Sequence, residues 1–146
     1  MEKQGFTLIE LLVVITVLAI LATGLMIFIN PGKRINQADD ARIKSDIGQI
    51  ANALLAYQTI NRHYPTAADG LNALVSNQDL RTLPLPPPGG NPSYYYNANS
   101  ACEVGPYSSC EAIVYYPLRD PQVAGNVWCW QSRNATTTEV AVCPTP

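Results

Sequence analysis

The fold is decided by the stretch FTLIELLVVITVLAILATGLMIFI, residues 6–29, in which Glu10 is the only ionisable side chain. A helix of this length rises about 36 Å, which is enough to cross a hydrocarbon core of about 30 Å with some tilt. A cleaved secretory signal would have a longer basic start, a shorter apolar core and a small-residue cleavage site after it. Residues 30–34 (NPGKR) supply no such site. The stretch therefore predicts a retained membrane helix over residues 6–30.

The flanks of this helix give conflicting indications about its orientation. The positive-inside rule counts Lys3 before the helix against Lys33 and Arg34 after it, which favours a cytoplasmic C-terminal part. All four cysteines, however, lie in the last third of the chain, which favours an oxidising compartment for that part. We expect the second arrangement: a single pass through a membrane with the C-terminal part extracytoplasmic.

Composition limits the function classes for the rest of the chain. Roughly 110 to 115 residues remain outside the apolar stretch, which is a common size for one small domain. The net charge is only -2 and the nine basic residues are scattered, so we predict no nucleic-acid partner. No phosphate loop, nucleophile elbow or paired carboxylates stand out. We therefore predict no catalytic residue, no metal, no cofactor and no enzymatic activity.

A second helix follows a predicted break. Asn30, Pro31 and Gly32 are expected to interrupt the helix, because proline removes a helical hydrogen bond and glycine adds backbone freedom. From about residue 35 to residue 61 one apolar stripe recurs on an otherwise polar helix, at spacings of four, three, four and three. Its members are Ile43, Ile47, Ile50, Leu54 and Tyr57. The charged side chains are expected on the solvated side: Asp39, Asp40, Arg42, Lys44 and Asp46. We assign residues 31–62 to this amphipathic half, whose stripe needs a partner surface.

Residues 63–146 predict that partner surface, as a loop-rich globular region. A short helix is expected within residues 69–75, followed by a proline-rich loop over residues 82–92. Three strand-like runs cover residues 111–118, 126–131 and 139–143, and residues 93–97 add a short fourth. The predicted fold class is α+β: a long N-terminal helix, transmembrane in its first half, packed on a small antiparallel sheet.

The cysteines predict two disulfides. Cys102, Cys110, Cys129 and Cys143 match no CxxC metal-binding spacing, and their number is even. Of three possible pairings, Cys102–Cys110 and Cys129–Cys143 are favoured because each closes a short local loop. The alternative is four buried free thiols.

Glu10 is the residue with the clearest functional implication. A carboxylate about one turn inside an apolar segment is costly, so it indicates a functional site by default. No Lys, Arg or His follows within the segment, so a partner from another chain is the physical inference. The alternative is that Glu10 lies at the headgroup boundary.

The start of the chain resembles a known family. Gly5–Phe6 followed by residues 7–14 (TLIELLVV) resembles the prepilin signal of type IV pilins and type II secretion pseudopilins. The resemblance implies a leader peptide, residues 1–5, that a prepilin peptidase removes after Gly5. It also implies N-methylation of Phe6. In that family the glutamate at the position of Glu10 pairs with the terminal amine of a neighbouring subunit during assembly.

A second resemblance lies after the long helix. Residues 64–66 (YPT) and 69–71 (DGL), with Ala73 and Leu74, resemble the corresponding segment of major pseudopilins of type II secretion systems. Such pseudopilins bind calcium near the C-terminus. Here Asp120 and Glu139 are isolated, and a calcium site needs several oxygens at once, so no calcium site is carried over.

The resemblance, together with Glu10, predicts a subunit that polymerises through its N-terminal helix into a type II secretion pseudopilus or a type IV pilus-like filament. It also implies that the single pass lies in the inner (cytoplasmic) membrane, and that the partners are a prepilin peptidase, an inner-membrane assembly platform and further copies of the chain. The alternative hypothesis is a monomeric, membrane-anchored binding or adhesion domain that uses exposed aromatic loops. Replacement of Glu10 separates the two hypotheses, because only a filament subunit needs the carboxylate.

Overall fold

The N-terminal apolar stretch forms one helix. A computed structural model describes residues 5–28 and 30–146, and helix α1 spans Leu8–Phe28. Thr7 precedes the helix, and its hydroxyl accepts a hydrogen bond from the Glu10 N–H at 3.3 Å, which caps the first turn. Within the described residues, one helix, over the window Leu8–Leu25, is long and apolar enough to cross a membrane.

Helix α2 spans Pro31–Asn61, so it begins about four residues earlier than expected. Asn30 explains this start, because its side-chain oxygen accepts a hydrogen bond from the Lys33 N–H at 3.2 Å, and proline is well suited to a first helical position. Pro31 and Gly32, expected within the helix break, are the first two residues of α2. Residue 29, which precedes Asn30, lies outside the described residues.

The chain is divided into two compact units, Met1–Ile35 and Asn36–Pro146. We call the second unit the head. Within the head, the expected stripe of α2 is its buried face. Ile43, Ile47, Ile50 and Leu54 are fully buried, and Tyr57 packs at the edge of the same core. The stripe prediction is therefore confirmed.

A four-stranded antiparallel sheet, in the order β1-β2-β3-β4, lies in the head. The strands are β1 Tyr95–Ala98, β2 Ala112–Pro117, β3 Val127–Gln131 and β4 Thr136–Val140. Short helices α3 Asn72–Ser76 and α4 Ala101–Val104, and a 3-10 turn over Tyr107–Ser109, lie in the connections. The predicted α+β fold class is confirmed.

The last strand differs from its prediction. It was expected over residues 139–143, but β4 begins at Thr136, which pairs with Gln131 of β3. A tight turn over residues 132–135, in which Ala135 has φ 48°, brings the chain back early enough for the three threonines to pair. The tail after Val140 is consequently not part of the sheet.

The two faces of the sheet have different environments. On β3, Trp130 is buried in the same core as the stripe of α2, and Trp128 packs against that core. Cys129, between them, belongs to a second cluster on the opposite face with Ile113 of β2 and Cys143 of the tail. This alternation is the period of two expected of a strand.

The C-terminal end of α2 carries a strained residue, which leads to a first prediction. Arg62 has φ 69°, and its N–H donates to the Gln58 carbonyl at 2.8 Å, which is the geometry that normally favours glycine after a helix. We expect Arg62→Gly to raise the free energy of unfolding of the head by about 1 kcal/mol, measured by chemical denaturation. Arg62→Ala, which removes the side chain but keeps the Cβ, should change it by less than about 0.5 kcal/mol. A glycine variant no more stable than the alanine variant would contradict this account.

Candidate functional site

The surface of α1 is apolar and exposed. Residues throughout the window Leu8–Leu25 are unburied within the chain, and Phe6 and Leu8 retain 82% and 88% of their accessible surface. A helix that is hydrophobic all round is normally covered, either by lipid or by other helices. The covering surface for α1 must therefore come from outside the chain's own described residues.

The neutral polar side chains of α1 satisfy themselves locally. The Thr16 hydroxyl donates to the Val13 carbonyl and the Thr23 hydroxyl to the Ala19 carbonyl, both at 2.8 Å. Such bonds to the preceding turn remove the cost of placing a hydroxyl in hydrocarbon. Both threonines are thus compatible with a lipid or helix-packed environment.

The Glu10 carboxylate differs from these hydroxyls. It is exposed, and among the described residues no side chain or main-chain group bonds to its oxygens. A carboxylate in an apolar environment is stable only when it is paired or protonated. Among the polar side chains of α1, this is the one for which the described residues provide no partner.

The Gly5–Phe6 bond lies in an exposed, non-helical segment before α1. A Cβ built on Gly5 meets no atom within 4 Å. The fold of this chain therefore does not itself require glycine at that position. A requirement for glycine would have to come from a protein that binds this segment.

The head contains both favoured disulfides, so that pairing is confirmed. Cys102–Cys110 closes the loop that contains α4. Cys129–Cys143 links the tail to β3 on the face of the sheet opposite the main core. These two bonds use all four cysteines of the sequence. The alternative of four buried thiols is therefore wrong.

Three carboxylates of the head, whose roles are not evident from the sequence, bind distant groups. Asp40 and Asp46 are buried on α2, and the Tyr94 hydroxyl donates to Asp46 at 2.7 Å. Burial and this hydrogen bond raise the pKa of Tyr94 well above its ordinary value. Glu139 accepts three hydrogen bonds from the connection between β2 and β3. For Asp40 and Asp46 the expected position on the solvated side of α2 is wrong, since they are only 5% and 8% exposed.

Calcium, which the family resemblance implies near the C-terminus, does not fit these groups. Glu139 directs its Oε1 at N–H donors, and Asp120 accepts a hydrogen bond from Gln37 Nε2 at 3.0 Å. Within the described residues, no group of three or more His, Cys, Asp or Glu side chains converges as metal ligands would. Calcium needs six to eight oxygens around one point, so the donor set here is unsuited to it.

The electrostatics of Glu139 agree with its role as an acceptor. Desolvation raises its pKa, but hydrogen bonds from Asn126 and from the Gln122 and Val123 N–H groups, with the charge of Lys44, outweigh this. The net pKa lies below the ordinary value of 4.5. The carboxylate is therefore the charged form that the neighbouring donors stabilise.

Comparisons with known proteins agree with this description. Residues 1–26 match the family model of the prokaryotic N-terminal methylation motif, and residues 31–98 match that of type II secretion system (T2SS), protein G. No solved structure gives a significant match.

Curated relatives extend the match. Type II secretion system core protein G of Pseudomonas aeruginosa PAO1 is 38% identical over 107 residues, which are 64% of this chain and 73% of that protein. The protein of the same name from Klebsiella michiganensis is 35% identical over 103 residues, 62% and 71% of the two chains. That from Escherichia coli K12 is 39% identical over 82 residues, 56% of this chain, and the match spans only 55% of its length.

The methylation motif, the exposed apolar helix and the helix-on-sheet head together define the pilin-like class of membrane-anchored proteins. Within that class, the chain belongs to the family of type II secretion system core protein G. Residues 99–146, which contain both disulfides and three of the four strands, lie beyond the matched family model.

Proposed function

We propose that this chain is a structural subunit of a type II secretion pseudopilus. The observation that supports this most strongly is the Glu10 carboxylate, which lies on an exposed apolar helix without a partner in the described residues. A second copy of the chain would supply both missing elements, a cation for Glu10 and an apolar surface for α1. The names of the relatives favour a secretion pseudopilus over a type IV pilus.

Maturation creates the cation. A prepilin peptidase hydrolyses the Gly5–Phe6 bond, and the new terminal amine of Phe6 is then methylated. Phe6 lies two residues before the start of α1 and four residues before Glu10, so its amine and the carboxylate lie at nearby depths in the apolar layer. When subunits stack with an axial offset, the amine of one copy reaches the carboxylate of the next. The pair then fixes the axial register of the filament.

Assembly proceeds from the membrane. The precursor crosses the inner membrane once, through α1, with the head on the extracytoplasmic side. An assembly platform in that membrane adds subunits, and the apolar helices leave the lipid to form the filament core. The transfer exchanges contact with lipid for contact with neighbouring helices, so the apolar surface of α1 stays covered throughout. In this role the chain is a structural protein with no catalytic residues.

Mass spectrometry of sheared filaments tests the proposal. We expect a subunit that lacks residues 1–5, carries a methylated Phe6 amine and keeps both disulfides. Gly5→Leu is the matched control, because a Cβ at Gly5 meets no atom of the described residues within 4 Å, so the substitution should block only the peptidase. That variant should accumulate uncleaved in the membrane and form no filaments. Filaments built from the uncleaved chain, or no filaments from the wild type beside an intact secretion system, would overturn the proposal.

A further inference from the structure

The connection between β2 and β3, residues 118–126, is held by two carboxylates from other elements. Asp40 of α2 is only 5% exposed and uses both of its oxygens. The Arg119 N–H donates to Oδ1 at 2.7 Å, and the Asp120 N–H donates to Oδ2 at 2.8 Å. An ion pair between Arg119 and Asp39, at 2.6 Å, adds to this anchor. The first part of the connection is thereby fixed to the helix.

Glu139 of β4 holds the second part. Its Oε1 accepts hydrogen bonds from the Gln122 N–H at 2.8 Å, the Val123 N–H at 3.4 Å and Asn126 Nδ2 at 3.0 Å. Three donors on one oxygen come from a span of five residues. The Glu139 carboxylate therefore holds residues 122–126, which lie outside the sheet, in one turn.

The polarity of these contacts opposes a cation. Each donor directs its positive N–H hydrogen at the carboxylate oxygen, so the space around Oε1 has a positive lining. A calcium ion there would displace three N–H groups and leave them without acceptors. The connection is built to hold negative charge, whereas a calcium-binding loop is built from oxygens that hold positive charge.

We propose that Asp40 and Glu139 themselves order the 118–126 connection, so that this head does not take up the calcium that the family resemblance implies. The head is therefore ordered without calcium, and so is any filament built from it. The part of this inference that concerns filaments rests on the proposed function, whereas the part that concerns the head does not. Asp40 and Glu139 are positioning residues, since they act through the main chain that they order.

The test is the thermal unfolding of the full-length chain in lipid nanodiscs, followed by tryptophan fluorescence. One sample contains a calcium chelator, and the other contains calcium at about 10 mM, above the 10⁻⁴–10⁻³ M affinities of extracellular calcium modules. We expect the same Tm in both. Glu139→Gln keeps the size of the side chain but removes its charge, and it should lower Tm by about 5 °C equally in both conditions.

The control is Glu103→Gln, which removes an exposed carboxylate of α4 and should leave Tm unchanged. Hydrogen exchange supplies a local reading: the Gln122 and Val123 amides should exchange faster in Glu139→Gln, while the amides of β2 keep their rates. A rise in the wild-type Tm with calcium that Glu139→Gln abolishes would identify Glu139 as a calcium ligand and overturn the inference. So would a Glu139→Gln variant with unchanged Tm and unchanged exchange.

Filament yield is measured in parallel, with and without the chelator. Equal yields are expected. A wild type that forms no filaments in either condition counts against the proposed function, while the Tm comparison still decides the inference about the head. Filaments lost only with the chelator would overturn the inference for the assembly.

Discussion

Glu10→Gln is expected to abolish filament assembly while the head folds normally. Glutamine keeps the size and polarity of the side chain but removes the charge that, in the proposed function, pairs with the terminal amine of a neighbouring copy. Removing one partner of a buried ion pair typically costs about 3–5 kcal/mol, because the other charge stays buried and unpaired. A loss of that size lowers the association constant at each subunit contact by roughly a hundredfold or more. Repeated at every contact, it should leave no filaments in the sheared fraction.

Two measurements make this prediction specific. Tryptophan fluorescence should show an unchanged head, since Glu10 lies outside the head. Thr16→Val, on the same helix, removes a hydroxyl that bonds within its own helix, and it should assemble at wild-type yield. If Glu10→Gln forms filaments at the wild-type yield, the carboxylate is not needed for assembly. That result would favour the alternative of a monomeric binding domain.

Trp130→Ala is expected to destabilise the head by about 3–5 kcal/mol, the usual cost of deleting a buried aromatic side chain. Trp130 is 1% exposed and contacts the Tyr64 ring edge-to-face, with centroids 6.0 Å apart. It pairs with Val114 of β2 and belongs to the core that receives the stripe of α2. Because small domains are stable by only about 5–15 kcal/mol, the loss is a large part of the total. Denaturant unfolding of the solubilised chain measures it.

Companion variants keep this prediction testable if the alanine variant does not fold. Trp130→Phe retains most of the apolar area and should cost clearly less. Trp128→Ala should also cost less than Trp130→Ala, because Trp128 is only partly buried and its ring faces the Lys44 ammonium at 4.7 Å. A Trp130→Ala variant within about 1 kcal/mol of the wild type would mean that Trp130 does not hold helix and sheet together.

The sequence predicted the features whose signals are local. The apolar run gave α1, and the spacing of Ile43, Ile47, Ile50 and Leu54 gave the buried face of α2. The short separations of 8 and 14 residues gave the disulfide pairing. In each case one window of sequence contains the whole pattern, so no knowledge of the tertiary fold was needed.

Features that depend on distant contacts were not predicted. Asp40 bonds to main-chain groups 79 and 80 residues away, and the N–H groups it binds have no side-chain signature. The start of β4 depends on how tightly residues 132–135 turn, which the threonines after them do not reveal. The start of α2 at Pro31 was missed because proline was interpreted as a break, although it is also a favoured first residue of a helix. The roles of Gly5, Phe6 and Glu10 remain predictions.

The disulfide between Cys129 and Cys143 makes the stability of the head depend on the redox state of its compartment. Cytosolic reductants keep cysteine thiols reduced, so in a newly made chain the Cys129–Cys143 bond would be absent. The tail would then not be linked to β3, and one side of the sheet would be uncovered. Losing a native disulfide of this kind typically costs a small domain about 2–5 kcal/mol. With the extracytoplasmic head that we propose, the subunit gains its full rigidity only after export, in the compartment where the proposed filament is built.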